Sequence, residues 1–488
     1  MDDGVRVISH KPAILLEDDL RTLLTPDQVS TADDVRAYYA QDAYWPGRAQ
    51  APSLPSDTRP DVVVWPRSTE DVVAVVRYAA ARGVPIVPWG GGTGLMGAAI
   101  PMSGGIVLDL ARHMNAVLAV DRPGQTATVQ AGILLGDLDR ALEPHGLMVG
   151  HDPYSRPIAS VGGTISTSSV GYGAARYGPM ADQVLAVEVV LGDGTVVRTR
   201  PVAKPAGPPL HRLWAGAEGT LGIVTEATLR VFRQPEERAY HAYRFPTFAA
   251  GFELVVEMYD LGLRPALLDY GSDTDWSPPP ESAFTLPLDE EPCELLLVFE
   301  GFAEAVAAEE GRALAILRGK GGRRLSGRRA KDYWERRHSS AERFRANRAS
   351  GQRGWGARPS NRRSDTLHMA LPVSAVPGFH EEVHRLAEAH RVHLRECAVW
   401  THPGLFSIIL ATEADEPGTA AEKVRRAADA VLERAQDLGG SMEYVHGIGV
   451  RLLHLTEREF GSTGELLRRL KAAVDPANIL NPGKLGFS

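Results

Sequence analysis

An α+β chain built in more than one part is what the sequence predicts, and three observations predict it. A helix-like segment and an apolar strand empty into a glycine-rich loop at Gly90–Gly97. Short β-rich runs, separated by turns rich in Gly and Pro, then follow through residue 199. From residue 236 onward, amphipathic helices alternate with apolar strand-like runs. The length of 488 residues points the same way, because a single hydrophobic core stops growing well below it.

Taken in order, residues 1–54 form a mixed arm that leaves through Ala51-Pro52-Ser53-Leu54-Pro55. Arg59–Pro66 encloses the β-rich run Val62-Val63-Val64-Trp65 between prolines. Thr69–Arg82 reads as a helix, with Ser68 at the N-cap, Asp71 three residues on, and Gly83 as the left-handed stop. The strand Val84–Val87 delivers the chain into Pro88-Trp89-Gly90-Gly91-Gly92-Thr93-Gly94, the start of a stretch with five glycines in eight positions. Residues without Cβ let backbone N–H groups close on an anion such as a pyrophosphate. An ordinary glycine-rich turn has the same composition. Gly105–Leu110 is a further strand, Ala116–Val120 pairs with Gln125–Gln130 around Arg122-Pro123-Gly124, and Leu134–Leu142 is a helix ending before Pro144.

A second signal begins at His151-Asp152-Pro153-Tyr154 and continues through Ala159–Ser169, where small residues and hydroxyls are dense. Such a segment can lie flat on a planar ligand and donate hydrogen bonds; a helix start rich in small residues reads the same way. Hairpin strands Val184–Leu191 and Thr195–Thr199 follow, then Trp214–Thr225, where glycine-rich turn gives way to a β-branched strand. Beyond residue 236, Ala303–Leu317 and Phe379–Ala389 are helices, and Glu294–Phe299 and Phe406–Leu410 are strands. Ser277-Pro278-Pro279-Pro280 marks an exposed excursion.

Composition excludes several classes. A net charge of −8 argues against general nucleic-acid or membrane-surface binding, and no apolar run is long enough to span a bilayer. The two cysteines, Cys293 and Cys397, supply neither a disulfide framework nor a Cys-based zinc cage. With no signal peptide recognised, the chain reads as a soluble, cytoplasmic protein. One span runs against the overall charge: residues 318–363 hold 16 Lys and Arg against three acids. It is read either as steering an anionic substrate or acceptor, or as a solvated basic loop.

Four ordered stretches, Arg59-Pro60-Asp61 through Glu70-Asp71-Val72, Gly90-Gly91-Gly92-Thr93, Ser160-Val161-Gly162-Gly163 and Glu218–Thr225, resemble the flavin-binding module of the FAD-linked oxidases. That family shares the fold of vanillyl-alcohol oxidase, p-cresol methylhydroxylase and the glycolate/D-lactate dehydrogenases. The ending Asp475-Pro476-Ala477-Asn478-Ile479-Leu480-Asn481-Pro482-Gly483-Lys484 resembles the family's ending. The resemblance implies an N-terminal arm (1–54), a p-cresol-methylhydroxylase-type FAD-binding domain (55–235), an α+β cap or substrate domain (236–435), and a C-terminal segment (436–488) returning to the flavin. It implies FAD held by Pro88 to Gly94, by Asp152 and Pro153, by Ser160, Val161, Gly162, Gly163, Ser166, Thr167, Ser168 and Gly171, by Glu218, Gly219, Gly222, Ile223 and Val224, and by Asn481 and Lys484. Relatives with covalent flavin carry His beside the first glycine loop; Thr93 stands there, so noncovalent FAD is expected.

For catalysis, the resemblance assigns His446, in Tyr444-Val445-His446-Gly447-Ile448-Gly449, as the group that takes a proton or orients substrate. Imidazole suits that work, because alcohol oxidation needs a base while hydride goes to the flavin. Arg337, in Tyr333–His338, matches a family arginine that holds a carboxylate or phosphate. His402 and His368 are further pocket candidates. Val445 replaces the glutamate that ligates metal in the 2-hydroxyacid dehydrogenases, and Trp400–Gly404 replaces their His-rich segment, so no metal site is expected. The expected function is an oxidase or dehydrogenase that moves hydride from a hydroxylated, anionic or polar small molecule to flavin N5. Oxygen or another electron acceptor would reoxidise the flavin, and the chain would act as a monomer or homodimer. The alternatives are an alkylglycerone-phosphate-synthase-like transferase and a flavin-binding protein without catalysis.

Overall fold

The computed structural model describes residues 13–44, 54–55, 57–273, 284–289, 291–318, 320–350, 362–413 and 417–487. Three larger sheets organise the described residues, beside a two-stranded pair of Leu147–Met148 and Phe232–Arg233. The first has four strands in the order Val29–Ser30, Val62–Val64, Ile106–Asp109, Ile86–Trp89. The last three run parallel and the first is antiparallel to its neighbour. Their Val and Ile side chains are buried, as parallel strands covered on both faces require. The helix Thr69–Ala80 packs Val72, Val75, Val76 and Ala79 into the same core, with the Ser68 hydroxyl accepting the Asp71 N–H as anticipated. Residues 29–30 of the N-terminal arm supply a strand to this sheet.

The second sheet is antiparallel, in the order Val117–Asp121, Thr126–Gln130, Ile223–Arg230, Val184–Val190, Val196–Arg198. Glu188, buried on this sheet, accepts hydrogen bonds from the hydroxyls of Thr225 on the neighbouring strand and of Thr69 at the start of the helix Thr69–Ala80. Both hairpins expected from sequence are present.

The third sheet has seven antiparallel strands, in the order Arg323–Arg324, Glu237–Phe245, Cys293–Gly301, Leu267–Asp273, His393–Trp400, Leu405–Glu413, Arg362–Ala370. The helices Phe248–Asp260, Ala303–Leu317, Val376–His390 and Pro417–Asp437 accompany it. Alternation along its strands sorts the residues onto two faces. Leu367, Met369, Phe406, Ile408, Leu410, Cys397 and Val399 are buried in the core cluster. His368, Ser407 and Ile409, between them, line the cavity described below.

One expectation changes here. The Arg-rich span is not a loop where it is described: Arg328–Arg336 and Ser339–Ala349 are helices, anchored by Trp334 and by Ala341 and Phe344. Residues 319 and 351–361 of that span, and the Pro stretch 277–280, lie outside the described residues. No described helix is long and apolar enough to cross a membrane.

The C-terminal segment returns across the whole molecule. The Ile86 N–H donates to the Ile479 carbonyl (2.7 Å) and the Asn481 N–H to the Ile86 carbonyl (2.8 Å), which seats residues 479–481 beside the glycine-loop strand. Upstream, Arg451 is wholly buried; its Nε donates to Asp365 at 3.1 Å and an Nη to Asp429 at 3.2 Å. Removing one partner of a buried ion pair strands the others, at a cost of about 3–5 kcal/mol. Arg451→Met is expected to lose stability on that scale in urea denaturation; a loss below about 1 kcal/mol would mean the cluster is not an anchor.

Candidate functional site

A cavity of 880 Å³ lies where the three sheets meet. One end is built by the glycine loop: Pro88, Trp89, Gly90, Gly91, Gly92, Thr93 and Gly94 all line it. The loop is pressed against the second signal. A Cβ on Gly90 would stand 2.0 Å from the Ser160 hydroxyl, and one on Gly91 2.0 Å from the Ile158 carbonyl, while Gly92 adopts φ +61. Only glycine allows that approach.

The second signal is a short helix, Val161–Ser166, capped by Ser160, whose hydroxyl accepts the Gly163 N–H at 3.1 Å. It is the helix start rich in small residues, the second of the two readings. It still turns Ser160, Gly162, Gly163, Ser166 and Thr167 to the cavity, joined by Pro153. Val161, on the opposite side of the turn, belongs to the core. Ser168, at φ +48, and Gly171, packed on the Asp152 backbone, are not among the lining residues.

Glu218, Gly219, Gly222, Ile223 and Val224 form the floor. The Glu218 carboxylate accepts the Ile448 N–H and the Gly449 N–H (3.0 Å to Oε2), tying this loop to the His446 motif. Burial pushes that carboxyl up to about 7 and the neighbouring Asp42 up to about 6; it pulls Lys484 down to about 8. Lys484 does not reach the cavity: its Nζ donates to the Ile100 carbonyl beneath the floor. Asn481 does reach it. Its amide donates to the carbonyls of Ala98 and Glu218, and its buried Oδ1 has no hydrogen-bond partner.

The far end is the polar face of the seven-stranded sheet: Asp269, Ser364, Thr366, His368, Glu396, Trp400, Ser407 and Ile409, closed by Tyr172 and Tyr333. The Tyr333 hydroxyl donates to Asp269 at 2.8 Å. His446 enters from the C-terminal motif and meets His368 edge-on, with ring centroids 4.7 Å apart. Glu443 accepts the His446 N–H at 3.0 Å and stands 3.7 Å from its Nδ1.

Two catalytic candidates are not in the cavity. Arg337 is turned away, because its Nε donates to buried Asp152 at 2.7 Å and its guanidinium lies 3.8 Å over Trp334. Asp152 sits behind the wall, held by Arg337, Arg156 and His338, and so does not face the cofactor side. His402 is committed to its own turn: Nδ1 accepts the Gly404 N–H at 2.9 Å and the ring abuts Tyr259. Of the arginines described, Arg343 lines the cavity. On the metal question, His368, Glu443 and His446 each offer a ligand atom within 4.8 Å of the others. Glu443 thus brings a carboxylate to the place where Val445 had argued against one.

The chain matches the family model of the FAD-binding domain over residues 60–200 and that of the FAD-linked oxidase C-terminal domain over residues 234–485. This chain belongs to the FAD-linked oxidase family. It is 30% identical over 442 residues to the glycolate oxidase subunit GlcD of Bacillus subtilis, covering 87% of this chain and 89% of that one. It is 31% identical over 432 residues to a D-lactate dehydrogenase of Archaeoglobus fulgidus, covering 87% and 91%. An alkyldihydroxyacetonephosphate synthase structure superposes with TM-score 0.76 at 22% identity, over 99% of this chain and 87% of that one. Substrate-bound p-cresol methylhydroxylase does so with TM-score 0.73 at 19% identity, over 98% of each. The FAD-linked oxidase is therefore an FAD-dependent oxidoreductase, and the cavity suits its cofactor. A glycine cradle that any Cβ would fill, hydroxyls of Ser160, Ser166 and Thr167, and the spare acceptor of Asn481 are the groups a dinucleotide needs.

Sequence reasoning singled out His368 but missed the rest of the sheet face. Ser364, Thr366 and His368 recur at every second position, a signal of one strand face that was available. Asp269, Glu396 and Tyr172 gave no local sign, since only tertiary packing gathers them.

Burial alone would raise Asp152, yet His338, Arg337 and Arg156 outweigh it and hold the carboxyl well below the usual range. Its folded pKa is below the unfolded one, so its stabilisation is complete above the ordinary carboxylate range and fades as pH falls through about 4 and below. Asp152→Asn is expected to cost about 3–5 kcal/mol at neutral pH, with parent and variant converging on acidification. Urea melts at several pH values check this; a pH-independent difference would contradict it.

Proposed function

We propose that the FAD-linked oxidase oxidises a CH–OH donor held between the glycine-loop end of the cavity and the polar sheet face. His446 takes the hydroxyl proton and His368 positions it. The observation that carries this reading is that both imidazoles line the same cavity as the glycine loop, 4.7 Å apart. Glu443 beside Nδ1 favours the tautomer that leaves Nε2 of His446 as acceptor. FAD, bound along residues 88–94, 160–167, 218–224 and Asn481, supplies the hydride acceptor.

The substrate reading is a polar, neutral hydroxylated molecule. A small carboxylate in a low-dielectric cavity wants a guanidinium, and Arg337 is spent on Asp152. The sheet face instead offers Asp269, Glu396 and Ser407 as hydrogen-bond acceptors, with Tyr172 and Trp400 as an aromatic wall. The relatives named for glycolate and D-lactate keep hydroxy acids as the comparison substrates, for which Arg343 would be the partner. The division at residues 54, 235 and 435, reoxidation by oxygen or another acceptor, and cytoplasmic residence belong to the same proposal.

Anaerobic mixing with hydroxy acids, sugars and aryl alcohols is expected to bleach the flavin with a neutral hydroxyl donor. His446→Ala should keep FAD and slow bleaching by about 10²–10⁴-fold. An unchanged rate would remove His446 from the chemistry. Ester exchange without lasting bleaching would favour a transferase instead. Dialysis against a chelator is expected to leave the rate unaltered; a loss restored by a divalent ion with no change in Tm would reassign His446 from base to ligand.

A further inference from the structure

The other face of the seven-stranded sheet carries a second cluster of donor groups. Cys397 lies on the strand His393–Trp400, between neighbours Glu396 and Trp400 that serve the cavity on the opposite face. Against it packs the helix Val376–His390, where His380 and His384 stand one turn apart on one side. Their rings are 4.7 Å apart between centroids. One ligand atom from each of His380, His384 and Cys397 lies within 4.8 Å of the others. Glu291, just before the strand Cys293–Gly301, joins them: its carboxylate oxygens lie 2.8 Å from His380 Nε2 and 3.4 Å from His384 Nε2.

All four residues are buried, none more than 5% exposed. Yet the contacts lack the angular geometry of hydrogen bonds. Nε2 of His380, both ring nitrogens of His384 and Oε2 of Glu291 have no hydrogen-bond partner. Each such group left unsatisfied costs about 1–3 kcal/mol. Native interiors rarely keep several together without something to bind them.

We propose that His380, His384, Cys397 and Glu291 form a structural zinc site behind the sheet. Two imidazoles, a thiolate and a carboxylate are a tetrahedral donor set. Bonds of about 2.0–2.3 Å at tetrahedral angles set donors roughly 3.3–3.6 Å apart. The 3.4 Å pair already fits, the 2.8 Å pair opens slightly, and the thiolate closes in. Binding replaces the Cys397 S–H proton, released to solvent, with a metal–sulfur bond. The bound ion would pin a helix, a strand and the segment at Glu291 to one point. None of the four residues lines the cavity, so the site stands apart from the oxidation chemistry.

The test uses full-length, FAD-loaded protein stripped with a chelator and titrated with Co²⁺. One equivalent is expected to give a near-ultraviolet thiolate-to-cobalt band and the strong visible bands of tetrahedral cobalt. Zn²⁺ should abolish both and raise the Tm. The thiolate band discriminates between sites, because the cluster His368, Glu443 and His446 contains no sulfur. It should vanish in Cys397→Ala, persist in His446→Ala, and need at least about tenfold more Co²⁺ in His384→Gln. Folded wild-type protein showing no thiolate band, or a band that survives Cys397→Ala, would overturn the assignment.

Discussion

A single buried carboxylate joins the halves of this molecule. Glu218 sits at the end of the loop that forms the cavity floor, and its oxygens accept the N–H groups of Ile448 and Gly449. Those amides lie two and three residues after His446. The hydrogen bonds therefore fix the loop that carries His446 relative to the glycine-rich loops, across 230 residues of sequence. The clamp is costly on its own, since burial pushes the carboxyl up to about 7. Lys484, beneath the floor, opposes that rise. The amides, the ammonium and the carboxylate hold one another in place, and the C-terminal return along Ile86 closes the arrangement.

The seven-stranded sheet does two jobs because alternation divides it. One face is polar and faces the cavity; the other is apolar and meets the helices, interrupted at Glu291, His380, His384 and Cys397. His368 is thus mounted on a strand of this sheet, whereas His446 stands on the loop that Glu218 clamps.

Much of the cofactor half was legible in the sequence. Glycine punctuation, a capped helix and β-branched runs are local signals, and each decides a local conformation. The glycine loop, the Ser160 cap and the Glu218 turn line the cavity. The catalytic half was less legible. Arg337 stands in the right motif, but Asp152 captures it from a segment 185 residues away. His402 likewise closes its own turn. Competition among partners for one guanidinium is settled by tertiary packing, and no spacing in the chain announces it. The same holds for Asp269, Glu396 and Glu443, which are ordinary acids until the sheet and the C-terminal motif bring them to one place.

Hydrogen–deuterium exchange over residues 443–452, measured with the rate of flavin reduction in wild-type and Glu218→Ala proteins, tests the clamp most directly. Faster exchange at Ile448 and Gly449, with slower reduction of retained FAD, is the predicted result. Unaltered protection and an unaltered rate in the variant would contradict it.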